Sequence, residues 1–175
     1  SLNASTWTYG YGLNATPLQM TTAICAIANG GYLLTPRLVQ AFLNEEGEVI
    51  ERFEPRRKAR VVGERATNVV KKGMVLVTEK GTGVAAKVSG YYVAGKSGTT
   101  RKYMPKTDEA KAGYKKGAYL ATFVGFVPAE APRVVIYVLI NEPKIGPNGG
   151  GAVAGPVFSK IAEEILPYLG VSPTR

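Results

Sequence analysis

The sequence contains no histidine and a single cysteine. Without imidazoles or paired thiols, the usual zinc donor sets cannot be assembled. No intrachain disulfide is available, and a histidine-based catalytic triad is excluded within the chain. There is also no run of about eighteen apolar residues, and no charged-then-apolar leader. The expectation is a chain that neither crosses a membrane nor carries its own export signal. Cys25 sits between Ile24 and Ala26 in an apolar helical pattern, the setting of a buried structural thiol and not of a reactive one. Acidic residues are the scarcer charge, 13 against 22 basic, for a net charge of +9. That balance admits nucleic acid, acidic lipid or an anionic ligand. The positive residues gather in "RRKAR" at 56–60 and in the segment 101–116, both interrupted by Pro or Gly. Neither block carries aromatics arranged for base stacking. Solvated surface, with attraction of a carboxylate ligand, is the reading; nucleic acid is not an expected partner.

What is present is enough for one domain: 175 residues, 45% of them hydrophobic, suffice for a packed core. "ATPLQMTTAICAIANGG" (15–31) contains a helix start and stop: Thr16 as N-cap, Pro17 at the first helical position, Gln19 three residues after the cap, Gly30 and Gly31 as terminator. Leu18, Thr22, Ile24, Cys25 and Ala28 are its expected buried side. Before it, Gly10 and Gly12 flank Tyr11 in a tight loop that reads as turn chemistry or as a wall near a site. Two short strand-like runs around "NEEG" form an expected hairpin, and the Pro/Arg/Lys stretch 55–60 an expected linker. From Thr67 a helix is expected with Val69, Val70, Met74 and Val77 on an apolar stripe, ended by Gly81 and Gly83.

The last third is denser in strand signals. "YYVAGKSGT", "AYLATFVGFVP" and "RVVIYVLINEP" predict three adjacent antiparallel strands, the last two joined by a short hairpin at 128–133. The first should lie at an open sheet edge. A final helix from about Ala152 to Tyr168, with Val157, Ile161, Ile165 and Leu169 stepping by four, should cover one side of that sheet. The fold class is therefore α/β (α+β), helices on an antiparallel sheet. Gly149–Gly151 and Gly155 suit a close-packed helix start, with an anion site on those glycines left open. The polar segment 101–117 is long for a hairpin connection and is expected to be irregular or mobile.

The chemistry concentrates in "VAGKSGTTRK" (93–102). Glycine weakens a strand and often marks a close approach by another backbone or a ligand, so Gly95 and Gly98 ask for a visitor. Within four residues the strand offers a cation (Lys96), two hydroxyls (Ser97, Thr99) and bare backbone at Gly98. An edge strand can also pair with an extended peptide. This set suits an acyl group arriving with a free carboxylate, with a backbone N–H turned to the oxygen of a tetrahedral intermediate.

K-T-G is the third motif of the penicillin-recognising serine enzymes, after S-x-x-K and S-x-N, and "KSGTT" is its serine variant. With "YGYGLNATPLQM", "ATFVGFVP", "VVIYVLINEP", "GGGAVAGPVFSKIAEEIL" and "LGVSPT", the chain resembles the transpeptidase domain of class B penicillin-binding proteins, the septal cell-division type most of all. The match is in family order and runs almost end to end. The resemblance implies a β-lactamase/transpeptidase-like fold and D-alanyl-D-alanine transpeptidation without metal or organic cofactor. Its implied partners are peptidoglycan stem peptides, β-lactam antibiotics and division-complex membrane proteins, met at the periplasmic side of a bacterial inner membrane. It also implies roles for the motif: Lys96 and the Thr99 backbone N–H (oxyanion hole) as catalytic groups, and Ser97, Gly98 and Thr99 as the binders of substrate or β-lactam carboxylate.

One departure is decisive for activity. None of the six serines, Ser1, Ser5, Ser89, Ser97, Ser159 and Ser172, has a lysine three positions later. "SLN" at 1–3 imitates S-x-N but lies only a few residues before the Gly10–Gly12 loop, where the family has a long helical segment. The expectation is that residues 1–175 are the C-terminal portion of a single, incomplete transpeptidase domain. Nucleophile, general-base lysine and two sheet strands would then lie upstream, and the N-terminal half of the domain would be a partner. Such a chain would be inactive alone, since acyl transfer needs an activated nucleophile beside a base. The alternative is a non-catalytic module of penicillin-binding-like fold that recognises peptidoglycan peptides or division partners.

Overall fold

The computed structural model describes residues 10, 12–106, 112–144 and 149–175. "SLN" and Tyr11 lie outside the described residues. Gly10 and Gly12 have φ of +87° and +77°, left-handed turn conformations that glycine adopts without strain.

Helix α1, Pro17–Ala28, starts where its capping signal lies. Thr16 Oγ1 accepts the Gln19 N–H at 3.2 Å, and Gln19 Oε1 accepts the Thr16 N–H at 2.8 Å, satisfying two donors that a helix N-terminus would otherwise leave open. The helix packs through its C-terminal half: Ala26 and Ala28 are buried, and Ile24 and Ile27 lean on the core. Leu18, expected inside, belongs to the first turn and is exposed. Cys25 is half-buried, and burial pushes its thiol pKa up.

Two small ribbons follow. β2 (Ala41–Leu43) pairs with β3 (Val49–Arg52) around the Asn44–Gly47 turn, where the Asn44 side chain accepts the Glu48 N–H at 2.7 Å. The stretch expected as a linker is a strand instead: β4 (Arg57–Arg60) pairs with β1 (Tyr32–Leu34). Its arginines, though exposed, have a ring partner that their charge did not advertise. The Arg57 and Arg60 guanidinia lie 4.6 and 5.3 Å from the Tyr32 ring centroid, within the range of cation–π attraction.

Helix α2, Glu64–Lys80, begins three residues before its expected start and stops at Gly81. Its buried residues are Thr67, Met74 and Thr78; Val69 and Val70 are exposed. Of the expected stripe only Met74 is in the core. The threonines are accommodated because their hydroxyls are bonded: Thr67 to Glu64 O at 2.8 Å, Thr78 to Val75 O at 2.9 Å and to Val93 O at 2.6 Å. A buried hydroxyl so satisfied carries little penalty.

β5 (Ala94–Met104), β6 (Gly113–Val127) and β7 (Val134–Asn141) form an antiparallel sheet in that order. The 128–133 connection is the expected hairpin, and β5 is the expected edge, paired only with β6 among the described residues. On one face Phe123, Ile136 and Val138 pack with Phe158, Ala162 and Leu166; on the other Ala94 and Phe126 meet Met74 and Ala28. Helices thus cover both faces, where the sequence predicted cover for one.

The C-terminal helix is broken. α3 (Gly150–Val153) ends at Ala154, and α4 runs Gly155–Tyr168. Pro156 has no N–H to continue the first segment's ladder but suits the first turn of the second. The buried stripe is Gly155, Phe158, Ala162 and Leu166, while Val157 and Ile161 are 39% and 40% exposed. The four-residue spacing was read correctly and the face was off by one residue, roughly 100° of rotation.

Candidate functional site

Lys96, Ser97, Gly98 and Thr99 lie consecutively on β5, opposite Val124, Phe123, Thr122 and Ala121 of β6. Strand alternation puts Ser97 and Thr99 on one face, Lys96 and Gly98 on the other. Lys96 and Thr99 are exposed, Ser97 and Gly98 half-buried. Since β6 occupies one side of the strand, the other side of the motif backbone is open among the described residues.

Each polar group of the motif has a defined partner. Lys96 Nζ donates to Ser97 O at 2.6 Å, folding the ammonium back along its own strand. Ser97 Oγ lies 2.8 Å from Thr82 Oγ1. Thr99 Oγ1 accepts the Gly150 N–H at 2.9 Å. The Thr99 hydroxyl is therefore tied to the protein's own backbone, which the sequence did not suggest. Thr82 and Gly150 are the residues that sequence reasoning missed as neighbours of the site. The available signals were the Gly81-Thr82-Gly83 stop after α2 and the Gly149–Gly151 run. Those glycines serve close packing: a Cβ at Gly150 would fall 2.1 Å from Gly98 O, and one at Gly151 1.8 Å from Thr82 O.

The visitors that Gly95 and Gly98 make room for are the protein's own side chains. A Cβ at Gly95 would sit 2.4 Å from Phe123 Cζ, and one at Gly98 2.5 Å from Thr122 Oγ1. Thr122 donates to Gly98 O at 3.3 Å and also bonds the Tyr137 side chain, whose phenol pKa is raised by burial. On this face the space beside Gly98 is thus taken by Thr122.

Beyond the motif, the segment expected to be irregular is ordered at both ends. β5 continues to Met104 and β6 begins at Gly113, with a register shift between Arg101 and Tyr103; residues 107–111 lie outside the described residues. Tyr103 and Tyr114 meet edge-on at 5.7 Å. Glu142, at φ +52°, gathers Lys102 at 2.6 Å, Lys115 at 3.0 Å and Lys144 at 3.6 Å. Hydrogen bonds from Lys102 and then Lys115 hold its carboxyl down at about 2. Two of the basic segment's six positive residues, Lys102 and Lys115, therefore share this one carboxylate. A recess of about 250 Å³ lined by Arg101, Tyr114, Lys115 and Lys116 adjoins the end of the motif strand. The larger cavity, about 440 Å³, is lined from Thr35 to Arg56 and includes no motif residue.

The family model described as the penicillin-binding protein transpeptidase domain matches residues 1–163. Stage V sporulation protein D of Bacillus subtilis is 34% identical over 172 residues, which is 98% of this chain and 26% of that protein. The peptidoglycan D,D-transpeptidase FtsI of Escherichia coli is 31% identical over 172 residues, 98% of this chain and 26% of FtsI. Among solved structures, the apo transpeptidase domain of Burkholderia pseudomallei penicillin-binding protein 3 superposes with a TM-score of 0.77 at 33% identity, covering 99% of this chain and 48% of that one. Penicillin-binding protein 3 of Mycobacterium tuberculosis complexed with ampicillin gives a TM-score of 0.78 at 31% identity, covering 94% and 37%. The chain spans about a quarter of the length of these curated relatives.

Proposed function

The chain belongs to the penicillin-binding protein transpeptidase domain family, and on that footing we propose that it supplies the substrate-binding strand of a peptidoglycan D,D-transpeptidase. The observation that carries the proposal is the placement of Lys96-Ser97-Gly98-Thr99 on a sheet edge, with no strand on its other side among the described residues and both hydroxyls on one face. The donor stem peptide, ending in D-alanyl-D-alanine, lies along that open edge as an added strand. Its terminal carboxylate accepts hydrogen bonds from Ser97 and Thr99. Two strand residues span roughly 6.8 Å, a gap that a carboxylate bonded once at each oxygen bridges. Lys96 contributes positive field, and the Thr99 backbone N–H stabilises the oxyanion as a tetrahedral intermediate forms.

Residues 1–175 act as the C-terminal portion of the domain. The reaction is completed by a serine nucleophile and its lysine base that this sequence does not contain. Serine attack on the penultimate D-alanine carbonyl releases the terminal D-alanine and leaves an acyl-enzyme. An acceptor amine from a second stem peptide then takes the acyl group, crosslinking the strands. A β-lactam enters as a mimic of the donor, bringing its own carboxylate to the same hydroxyls. The site of action is the periplasmic side of the inner membrane. Among the described residues no helix is long and apolar enough to cross a membrane.

The test is covalent labelling of the full-length protein by a fluorescent penicillin. Expected is a labelled band competed by unlabelled benzylpenicillin, weakened by Thr99→Val and retained by Ser97→Thr, which keeps the hydroxyl. No labelling of a folded full-length protein would favour the non-catalytic recognition module instead.

A further inference from the structure

Thr82 sits in a turn that is fastened at both ends. The Gly81 and Gly83 amides both donate to Val77 O, at 3.1 and 2.9 Å, and a Cβ at Gly83 would lie 3.0 Å from Phe123 Cε2. The Thr82 carbonyl is packed beneath Gly151. This turn holds the Thr82 hydroxyl 2.8 Å from Ser97 Oγ. On the same face, two residues further, the Gly150 amide donates to Thr99 Oγ1.

The two contacts differ in what they leave undecided. An amide N–H can only donate, so Thr99 accepts from Gly150 and its own proton remains available. Between two hydroxyls either oxygen can be the donor. A carboxylate on the strand removes the ambiguity. It accepts only, so Ser97 must spend its one proton on the ligand, and the bond from Thr82 must run from Thr82 to Ser97.

We propose that Thr82 is a positioning residue for ligand binding: its hydroxyl donates to Ser97 Oγ and commits the Ser97 proton to a carboxylate on the strand, as the Gly150 amide does for Thr99. The inference rests on the carboxylate reading of the motif given above. Without Thr82 the Ser97 hydroxyl is a free rotor with three staggered wells, and it must find its orientation each time a ligand arrives. With Thr82 in place the orientation exists beforehand, which is the condition for a hydrogen bond to contribute fully to the acylation transition state.

The experiment is a double-mutant cycle on the full-length enzyme, reading second-order acylation rate constants with benzylpenicillin, with thermal melts for each variant. Thr82→Val should lower the rate about three- to tenfold, the size of one neutral hydrogen bond, and Thr82→Ser should restore it. In a Ser97→Ala background, Thr82→Val should cause no further loss, because its target oxygen is gone. Two results would overturn the proposal while leaving the carboxylate reading intact. One is a wild-type rate for Thr82→Val when Ser97→Ala is slow; the other is an equal loss in both backgrounds, the mark of a purely structural role. Wild-type rates for both Ser97→Ala and Thr99→Val would instead overturn the carboxylate reading and this inference with it.

Discussion

The Gly150 amide reaches across 2.9 Å to the hydroxyl oxygen of Thr99, tying the first residue of a helix to the last residue of the K-S-G-T motif. Gly150 is buried, so Thr99→Val removes the proposed ligand contact and also leaves a buried donor unpaired. Two effects are expected together: a roughly tenfold to hundredfold drop in β-lactam acylation and a stability loss of about 1–3 kcal/mol. Thr99→Ser keeps the oxygen and should show neither. A sequence reading in which Thr99 faces only a ligand expects an unchanged melt, so calorimetry beside acylation kinetics separates the two views.

Gly150→Ala should disturb the motif without touching a motif side chain. Its Cβ would fall 2.1 Å from Gly98 O and 2.2 Å from Thr122 O, main-chain atoms of two paired strands that have little freedom to yield. Destabilisation of at least 1–3 kcal/mol is expected from such overpacking. Acylation should fall even at temperatures where the variant is fully folded. Wild-type melting and kinetics together would show that the helix start is free to move away from the strand.

Gly95→Ala tests whether Phe123 is the reason for that glycine. The added methyl group would meet Phe123 Cζ at 2.4 Å, so the single variant should lose about 1–3 kcal/mol. Phe123→Leu withdraws the ring edge and should make Gly95→Ala less harmful in the double variant. Strictly additive losses in denaturant titrations would count against the contact.

The lysine clamp on Glu142 predicts a pH dependence with a definite sign. Its carboxyl is lowered from 4.5 to about 2 in the folded protein by hydrogen bonds from Lys102 and Lys115. A lowered carboxyl contributes stability that is fully present above the unfolded value and is lost as pH falls through the folded one. Glu142→Gln should therefore melt below wild type at about pH 6, and the gap should narrow towards about pH 2. A gap that does not depend on pH would show that ionisation of the Glu142 carboxyl is not what stabilises the fold.

The two candidate stripes of the C-terminal helix make opposite forecasts. Phe158 is fully buried and meets Phe123 at 5.0 Å between ring centroids, so Phe158→Ala should cost about 3–5 kcal/mol. Within residues 1–175, Val157 stands off the core. A refolded 1–175 chain should tolerate Val157→Ala within about 0.5 kcal/mol, and a large loss there would restore the stripe read from sequence.

Local signals in the chain determined a good deal. Thr16, Pro17 and Gln19 set the start of α1 because a capping box is made and satisfied within four residues. "NEEG" set a hairpin, alternating apolar residues set β6 and β7, and the position of K-S-G-T on a strand followed from its neighbours. What the sequence left undecided depended on partners far away along the chain. Thr67 and Thr78 entered the core of α2 in place of Val69 and Val70 because bonded hydroxyls and the facing sheet, not side-chain hydropathy, chose the face. Arg57–Arg60 became a strand because β1 offered a ladder and Tyr32 a ring. Ser97 met Thr82 from 15 residues away and Thr99 met Gly150 from 51. Backbone propensity acts over a few residues, whereas which face is buried and which hydroxyl meets which donor are settled only when the elements close on one another. The motif strand was therefore legible in one dimension, and the groups that meet its hydroxyls only in three.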